Sequence, residues 1–420
     1  MTWSNWSQNQ TASPAAFLKP KTSDELSTVV GTTPRPVRVV GAGHSFTGIV
    51  PSDGSILSLD DMPGEVEPTD NGVWVSAGSR LYDLSEKLET HNLAFRNLGD
   101  INVQSLAGAV STATHGTGKN LPCLAAELTG FEFVSADGSV IRIDDTHNAG
   151  WIGAAQVSLG CFGVMTRARV NVMPAYNLRR QTHPMLIEEL IEKAPALWDK
   201  HRNFEFFYIP FSGYGTAICH DVSHEPAEER TPPDDDAGLA VLKSIRNDLK
   251  GDPKSRREIL AGALSESEKE DVVGASWKLL ASPRNTPFNE MEYHLPVESA
   301  LDTLKRVIDY IESERPDVFF PIEVRQTAGD RGWLSPFNGG NRISIAVHAA
   351  HDEPHDFFFS DIEPMFREAG GRPHWGKLHS LKSAELEFLY PRLHEFRAVM
   401  KMLDPAGAFR TPYLKNLLGV

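Results

Sequence analysis

The stretch Ala107-Gly108-Ala109-Val110-Ser111-Thr112-Ala113-Thr114-His115-Gly116-Thr117-Gly118 carries most of the information about the fold. Apart from Val110 and His115 it holds only glycine, alanine and hydroxyl residues. Two loops of similar character flank it: Gly41-Ala42-Gly43-His44-Ser45-Phe46 upstream and Ser158-Leu159-Gly160-Cys161-Phe162-Gly163-Val164 downstream. Glycines let successive backbone N–H groups converge on an anion without interference from Cβ. With no P-loop lysine motif, the three loops suit either a large ligand threaded past backbone or three ordinary turns. The first loop follows a β-branched strand, Val37 to Val40, so a dinucleotide fingerprint has to be weighed. The third glycine of that motif is missing at Phe46, and Gly48, Pro51 and Gly54 break the helix it requires. A Rossmann site is disfavoured, although Asp60 and Asp61 stand near the ribose-carboxylate spacing.

The rest of the chain bounds the possibilities. Its 420 residues admit two or three domains. The 56 acidic residues against 41 basic ones give a net charge of −15, which argues against nucleic acid and anionic membrane surfaces. Cys123, Cys161 and Cys219 are odd in number and widely spaced, which fits neither a disulfide framework nor a spaced zinc site. The N-terminus MTWSNWSQNQ lacks a basic and an apolar segment, so no secretory signal is expected. No apolar run approaches the roughly 18 residues of a membrane span. The expected location is the cytoplasm.

Outward from the glycine loops, short strands alternate with turns over the first 175 residues. Asp137-Gly138 between Phe131–Ser135 and Val140–Ile143 predicts a tight hairpin. Helices are expected at Leu81–Glu89, Leu186–Trp198, Val297–Ile311 and Asp356–Arg367. A last helix is expected at Ala384–Leu403, stopped by Asp404-Pro405-Ala406-Gly407. Strands at Phe204–Ile209, Glu290–Leu295, Val318–Arg325 and Arg342–His348 predict an antiparallel sheet covered by helices, an α+β layer. The acidic, proline-containing run from Glu225 to Gly238 reads as a solvated loop.

Four motifs occur in a telling order: GAGHSF at 41–46, NLGDINVQSLAGAVSTATHGTG at 97–118, HWGKLH at 374–379 and YPRLHEFRAVMKMLDPAGAF at 390–409. Together they resemble the sugar-1,4-lactone and alditol oxidases, D-arabinono-1,4-lactone oxidase-like members of the vanillyl-alcohol-oxidase-type FAD flavoproteins. The resemblance implies an α+β fold with a two-subdomain FAD-binding domain over 1–175. It further implies a substrate-facing cap with an antiparallel sheet over 176–380, and a segment over 381–420 that returns to the FAD domain. FAD contacts are then expected from Gly41, Ala42, Gly43, His44, Ser45, Phe46, Gly99, Ser105, Gly108, Thr112, Thr114, His115, Gly116, Gly118, Gly163 and Val164. His44 matches the position that bonds covalently to the flavin 8α carbon in covalent members. Gly99 matches the position where a small residue opens a route for O2 and alanine closes it. An oxidase releasing hydrogen peroxide is thus favoured over a flavin-linked dehydrogenase using another acceptor.

Flavin oxidation of a carbinol needs a hydride acceptor, a group that takes the hydroxyl proton, and donors that orient other hydroxyls. Glu323 and Arg325 are two apart on a strand and share a face, which fits either a surface ion pair or a site. The resemblance selects the site. It also matches His348 to the cavity histidine and Lys377 to the active-site lysine of alditol oxidases. His348 or Glu323 takes the proton in this reading, while Lys377, Arg325 and Glu323 with Asp100 balance charge around a neutral sugar-derived substrate. Departures from the family shape the substrate expectation. Ala350 stands where alditol oxidases carry threonine, Asp100 where they carry serine, and Thr411 where asparagine is usual. The Asn97-Leu98-Gly99 run instead resembles the aldonolactone oxidases. An aldono-1,4-lactone is therefore the expected substrate, with an alditol as the alternative. No metal is expected: His348 and His351 lie on opposite strand faces, and Pro354 precludes the helix that would align them. No Gly-x-Ser-x-Gly elbow of a serine hydrolase is present.

Overall fold

The computed structural model describes residues 2–230, 232, 234–267 and 269–420. Three larger sheets, beside two of two short strands each, organise them. The first is small and parallel, with β1 (Ala16–Leu18), β2 (Val37–Val40) and β3 (Ser55–Ser58) in the order β1-β3-β2. The helix α1 (Ser23–Thr32) covers it, capped by Thr22, whose hydroxyl accepts from the Glu25 N–H at 3.2 Å. The second sheet is antiparallel, with β4 (Val66–Thr69), β5 (Gly72–Ser76), β6 (Leu128–Val134), β7 (Val140–Ile143) and β8 (Val164–Val170) in the order β7-β6-β8-β5-β4. The β6–β7 hairpin turns at Asp137-Gly138 as its sequence predicts. Gly138 takes φ +86°, and the Asp137 carboxylate accepts from the Ser139 N–H at 2.9 Å. Two helices, α2 (Leu81–Thr90) and α3 (Leu106–Ser111), pack beside this sheet, their Leu81, Leu84, Leu106 and Val110 entering the main core.

The third sheet has eight strands: β9 (Asn177–Leu186), β10 (Asn203–Tyr208), β11 (Tyr214–Ser223), β12 (Asp271–Ala275), β13 (Phe288–Pro296), β14 (Ile322–Thr327), β15 (Arg342–Ala350) and β16 (Arg372–Pro373). Their order is β12-β9-β11-β10-β14-β15-β13-β16, antiparallel throughout. One face is apolar. Met291, Tyr293 and Leu295 of β13 bury with Ala300, Leu304 and Val307 of the amphipathic helix α7 (Val297–Glu314). The other face carries the alternate residues Glu290, Glu292 and His294, all buried as well. Helix α4 (Ile187–Lys200) also covers the apolar side, α6 (Pro253–Ser265) lies over β9 and β11, and α5 (Asp235–Leu249) packs Leu239 and Leu242 near Phe288, Phe319, Phe320 and Ala350.

After β16 the chain returns to the first sheet through α8 (Ser383–Leu389), α9 (Leu393–Leu403) and α10 (Pro412–Leu418). The Val37 N–H donates to the Ala408 carbonyl at 2.8 Å. Arg38 is buried with no carboxylate in ion-pair reach among the described residues and donates instead to four carbonyls, those of Ile49, Leu159, Gly160 and Phe409. That single guanidinium ties the Ser158–Val164 loop and Ile49, just beyond the Gly41–Phe46 loop, to the C-terminal segment. The first region and the large sheet are joined by Gly118 N–H to Gln326 carbonyl at 2.6 Å, and by Phe46 N–H to Gly376 carbonyl at 2.7 Å.

Three local expectations need correction. The last helix is two helices, because Pro391 has no N–H to donate and forces Tyr390 out of helical geometry. The strand expected from Val318 begins only at Ile322, after Pro321. The acidic run is not all solvated loop: Asp234 caps α5 by accepting from Ala237 N–H at 2.9 Å, and Asp235 and Asp236 sit in its first turn, where the helix dipole favours acids. Thr231 and Pro233 of that run lie outside the described residues. All three cysteines are buried free thiols. Among the described residues no helix is long and apolar enough to cross a membrane.

Candidate active site

A narrow groove of about 100 Å³ opens into a larger cavity of about 650 Å³. The groove runs between the backbone of Val40–Gly43, Ser105 and Gly108 on α3, and the loop Ser158–Gly163. His44, Ser45, Gln104 and Thr112 line both spaces, so groove and cavity are continuous at His44. Glycine is required along the wall: a Cβ on Gly41 would stand 2.3 Å from the Ser105 hydroxyl oxygen. Ser158 Oγ in the groove and Gln104 Oε1 at the junction are buried without a hydrogen-bond partner. Buried polar atoms left unpaired are costly, so both are poised to meet a ligand. An elongated dinucleotide such as FAD fits this backbone-walled slot.

Most of the residues expected to contact the cofactor gather here. Gly41, Ala42, Gly43, His44, Ser45, Ser105, Gly108, Thr112 and Gly163 line the groove, and Phe46, Thr114 and His115 line the cavity. Gly99 lies just behind that wall, where a Cβ would come within 3.1 Å of the His115 carbonyl and 3.2 Å of Thr114 Cγ2. Besides Gly99, three of the expected residues line neither space. Gly116 is pressed against the Leu98 carbonyl and Gly118 bonds to β14, so both serve the junction with the large sheet. The Val164 side chain packs with Leu26, Val30 and Val134 in a separate apolar core.

The polar face of the large sheet forms the opposite wall of the cavity, and Glu323, Arg325, His348, Lys377 and Asp100 all reach it. Arg325 is the hub. Its guanidinium lies 3.2 Å from Asp100 Oδ1, 2.9 Å from Glu292 Oε1 and 3.3 Å from Glu323 Oε2. Lys377 does not pair with Glu323 or Asp100, as charge balance in the sequence suggested; its ammonium bonds to Glu290. His348 sets Nδ1 at 2.9 Å from the Pro321 carbonyl, which makes Nδ1 the protonated nitrogen. Its Nε2 lone pair is then left beside Glu290, 3.8 Å away.

Burial and neighbouring charge give these groups distinct protonation. Burial raises Asp100, but Arg325, Arg284 and Lys377 outweigh it and hold the carboxyl at about 2. Burial drives Glu323 well above the usual carboxyl range, helped by Asp100, Glu205 and Glu292 against the pull of Arg325. Burial keeps His348 unprotonated. Lys377 is raised because Glu290 and Glu292 outweigh its burial. His44 falls to about 4, from burial first and then from Lys377 and Arg80. The site thus offers a neutral acid, an ionised acid, two fixed cations and two neutral imidazoles. Two buried clusters, His115–Glu292–His294 and Glu290–Glu323–His348, have ligand-like spacing, but a carboxylate in each is already paired with Arg325 or Lys377.

Sequence reading missed Glu290, Glu292 and His294 of β13. It missed Glu205 of β10 and Arg284 as well; Arg284 links Asp100 at 3.4 Å to Asp235 at 2.9 Å. The signal for β13 was present: in Phe288–Pro296, ionisable residues alternate with apolar ones at strand period.

Comparison with known proteins bears on the same regions. A family model described as "FAD binding domain" matches residues 14–144. A second, described as "D-arabinono-1,4-lactone oxidase", matches residues 168–417, more than half of the chain. The chain belongs to this family. It is an FAD-dependent oxidoreductase. Among curated relatives, an L-gulono-1,4-lactone dehydrogenase of Mycobacterium tuberculosis is 31% identical over 99% of both chains. An alditol oxidase of a Streptomyces species is 30% identical over 99% of this chain and 98% of its own. An L-gulonolactone oxidase of Bos taurus is 27% identical over 98% and 97%. Among solved structures, cholesterol oxidase from B. sterolicum superposes with a TM-score of 0.79 over 99% of this chain and 96% of that one. At 16% identity, that likeness speaks to the fold alone.

Proposed function

We propose that this enzyme oxidises a ring or side-chain carbinol of an aldono-1,4-lactone and passes the electrons to O2, releasing hydrogen peroxide. Residues 1–175 and 381–420 hold the flavin in this reading, and 176–380 present the substrate. One observation carries it: Glu323, Arg325, His348, Lys377 and Asp100 converge on one cavity wall across from His44, where the groove opens. Bound FAD supplies a ring that accepts a hydride. The chain supplies the rest. Arg325 and Lys377 are fixed donors that orient hydroxyls and stabilise the alkoxide as the hydroxyl proton leaves. The ionised Asp100 accepts from a substrate hydroxyl, and protonated Glu323 donates to one. Between the two candidate bases, protonation favours His348, because its Nε2 lone pair is free while Glu323 already carries its proton. Residues Val40–Gly43, Ser105, Gly108 and Gly163 hold the flavin's nucleotide portion, and unprotonated His44 is available to bond to its 8α carbon. The buried, unpaired thiols suit a cytoplasmic setting.

The alditol reading is supported by His348, which faces the cavity. A panel of five- and six-carbon lactones and alditols, followed by anaerobic flavin bleaching and an oxygen electrode, separates the readings. Bleaching by lactones with oxygen uptake is expected. Uptake with alditols alone would refute the lactone assignment, and dye reduction without oxygen uptake would refute O2 as acceptor. Acid precipitation tests the His44 bond: the pellet should stay yellow, and a colourless pellet refutes the bond.

A further inference from the structure

The N-terminal segment Asn5–Gln10 holds every residue of the loop from Gly43 to Phe46. The Trp6 N–H donates to the Gly43 carbonyl at 2.9 Å. Asn5, only 4% exposed, donates from Nδ2 to the Ser45 carbonyl at 2.9 Å and accepts from the Gln10 N–H at 2.9 Å. Asn9 and Gln10 side chains donate to the Phe46 carbonyl at 3.0 and 3.2 Å. The remaining residue, His44, is held by aromatic contact: the Trp6 ring stacks on its imidazole with centroids 4.6 Å apart and planes 25° from parallel. Trp6 is fixed in turn by an edge contact with Phe288 at 5.1 Å.

Among the described residues, no side chain or carbonyl hydrogen-bonds either ring nitrogen of His44. A histidine ring rotates in a broad well about its last torsion unless something restrains it. Here the restraint is the indole face, which covers one side of the imidazole, while His44 lines both the groove and the cavity.

We propose that Trp6 is a positioning residue that aims His44 for its bond to the flavin, with Asn5 as the anchor of the segment that carries it. The proposal rests on the covalent reading above. Bond formation replaces the imidazole N–H and one C–H of the flavin 8α methyl with a C–N bond. Two protons leave and two electrons stay on the flavin. O2 then takes up two electrons and two protons and becomes hydrogen peroxide. An unaimed ring meets the 8α carbon in fewer attempts, and misplacement by about 1 Å can cost on the order of a hundredfold in rate.

The test compares purified wild type, Trp6→Ala, Trp6→Phe and Asn5→Ala. Total flavin per chain is read after proteolysis, and acid-stable flavin after precipitation, over a time course with added FAD. Trp6→Ala should bind flavin yet become acid-stable at least tenfold more slowly than wild type. Trp6→Phe, which keeps an aromatic face, should recover most of the rate. Should Trp6→Ala fail to fold, Asn5→Ala provides the reading and should be slowed as well. Wild-type kinetics in Trp6→Ala, or in Asn5→Ala where Trp6→Ala does not fold, would overturn the positioning role. Trp6→Phe as slow as Trp6→Ala would do the same. A colourless wild-type pellet would overturn the His44 bond itself, and this proposal with it.

Discussion

Lys377→Met isolates one ion pair at the centre of the site. The Glu290 side chain is 3% exposed, and among the described residues the Lys377 ammonium is its only charged partner within ion-pair reach, neutral His348 lying 3.8 Å away. Removing the lysine leaves a buried carboxylate uncompensated. Breaking such a pair costs about 3–5 kcal/mol, and partial exposure of Lys377 places the expectation at about 3 kcal/mol. For 420 residues unfolding together, at about 2.1 cal/mol/K of unfolding entropy per residue, that is a fall in Tm of roughly 3 °C. The double variant Glu290→Gln/Lys377→Met removes the orphan charge and should recover most of the loss, a coupling of about 2 kcal/mol. Catalysis should not recover with it. Losing one fixed donor at a developing alkoxide typically costs on the order of a hundredfold, so both variants should reduce flavin that much more slowly. Thermal denaturation of the holoenzyme gives the first readout and anaerobic stopped-flow absorbance the second. A Tm for Lys377→Met within about 1 °C of wild type would refute the pairing, because a buried pair is not that weak. Recovery of flavin reduction in the double variant would refute the role of the lysine on substrate.

His348→Gln should slow flavin reduction by about 10²–10⁴ and abolish the acidic limb of the pH–rate profile; a surviving limb would mean another base. That limb should fall below pH 6.5 in the parent enzyme, since burial lowers the pKa of His348. Stability should fall on acidification through the same range. His44 and His379 are held at about 4 and His220 at about 3 by burial, so below pH 6.5 the unfolded chain binds protons that the folded chain does not. The stability these groups contribute is full above pH 6.5 and drains between there and about 4; an unchanged Tm from pH 7 to 5 would contradict it. Gly41→Ala puts a methyl 2.3 Å from Ser105 Oγ, the N-cap of α3, and should weaken flavin retention measurably on gel filtration.

Two charged residues on one face of an otherwise apolar strand left Glu323 and Arg325 open as a surface ion pair or a site, and only the resemblance selected the site. Glu290, Glu292 and His294 follow the same pattern, yet alternating polar and apolar residues are also what a half-solvated antiparallel strand shows. Only the approach of the glycine-loop region over that face turns it into a cavity wall, and no local pattern records that approach. Likewise Asp235 looked solvated because its partner Arg284 is distant in sequence. Pro391, by contrast, was readable as a helix breaker and was outweighed by strong helical periodicity on either side. The glycine loops were legible as backbone exposed to a ligand. The use of Gly116 and Gly118 for packing against β14 was not, since glycine permits either.

The three cysteines have a bearing on how long the enzyme lasts. In the proposed reaction with O2, peroxide forms inside the cavity, and peroxide attacks thiolates rather than thiols. Burial pushes Cys161 up to about 11 and Cys219 to about 12, and burial with the neighbouring Asp330 raises Cys123 well above the usual thiol value. At neutral pH these three cysteines are thus held as thiols, the form that peroxide from the proposed reaction attacks slowly.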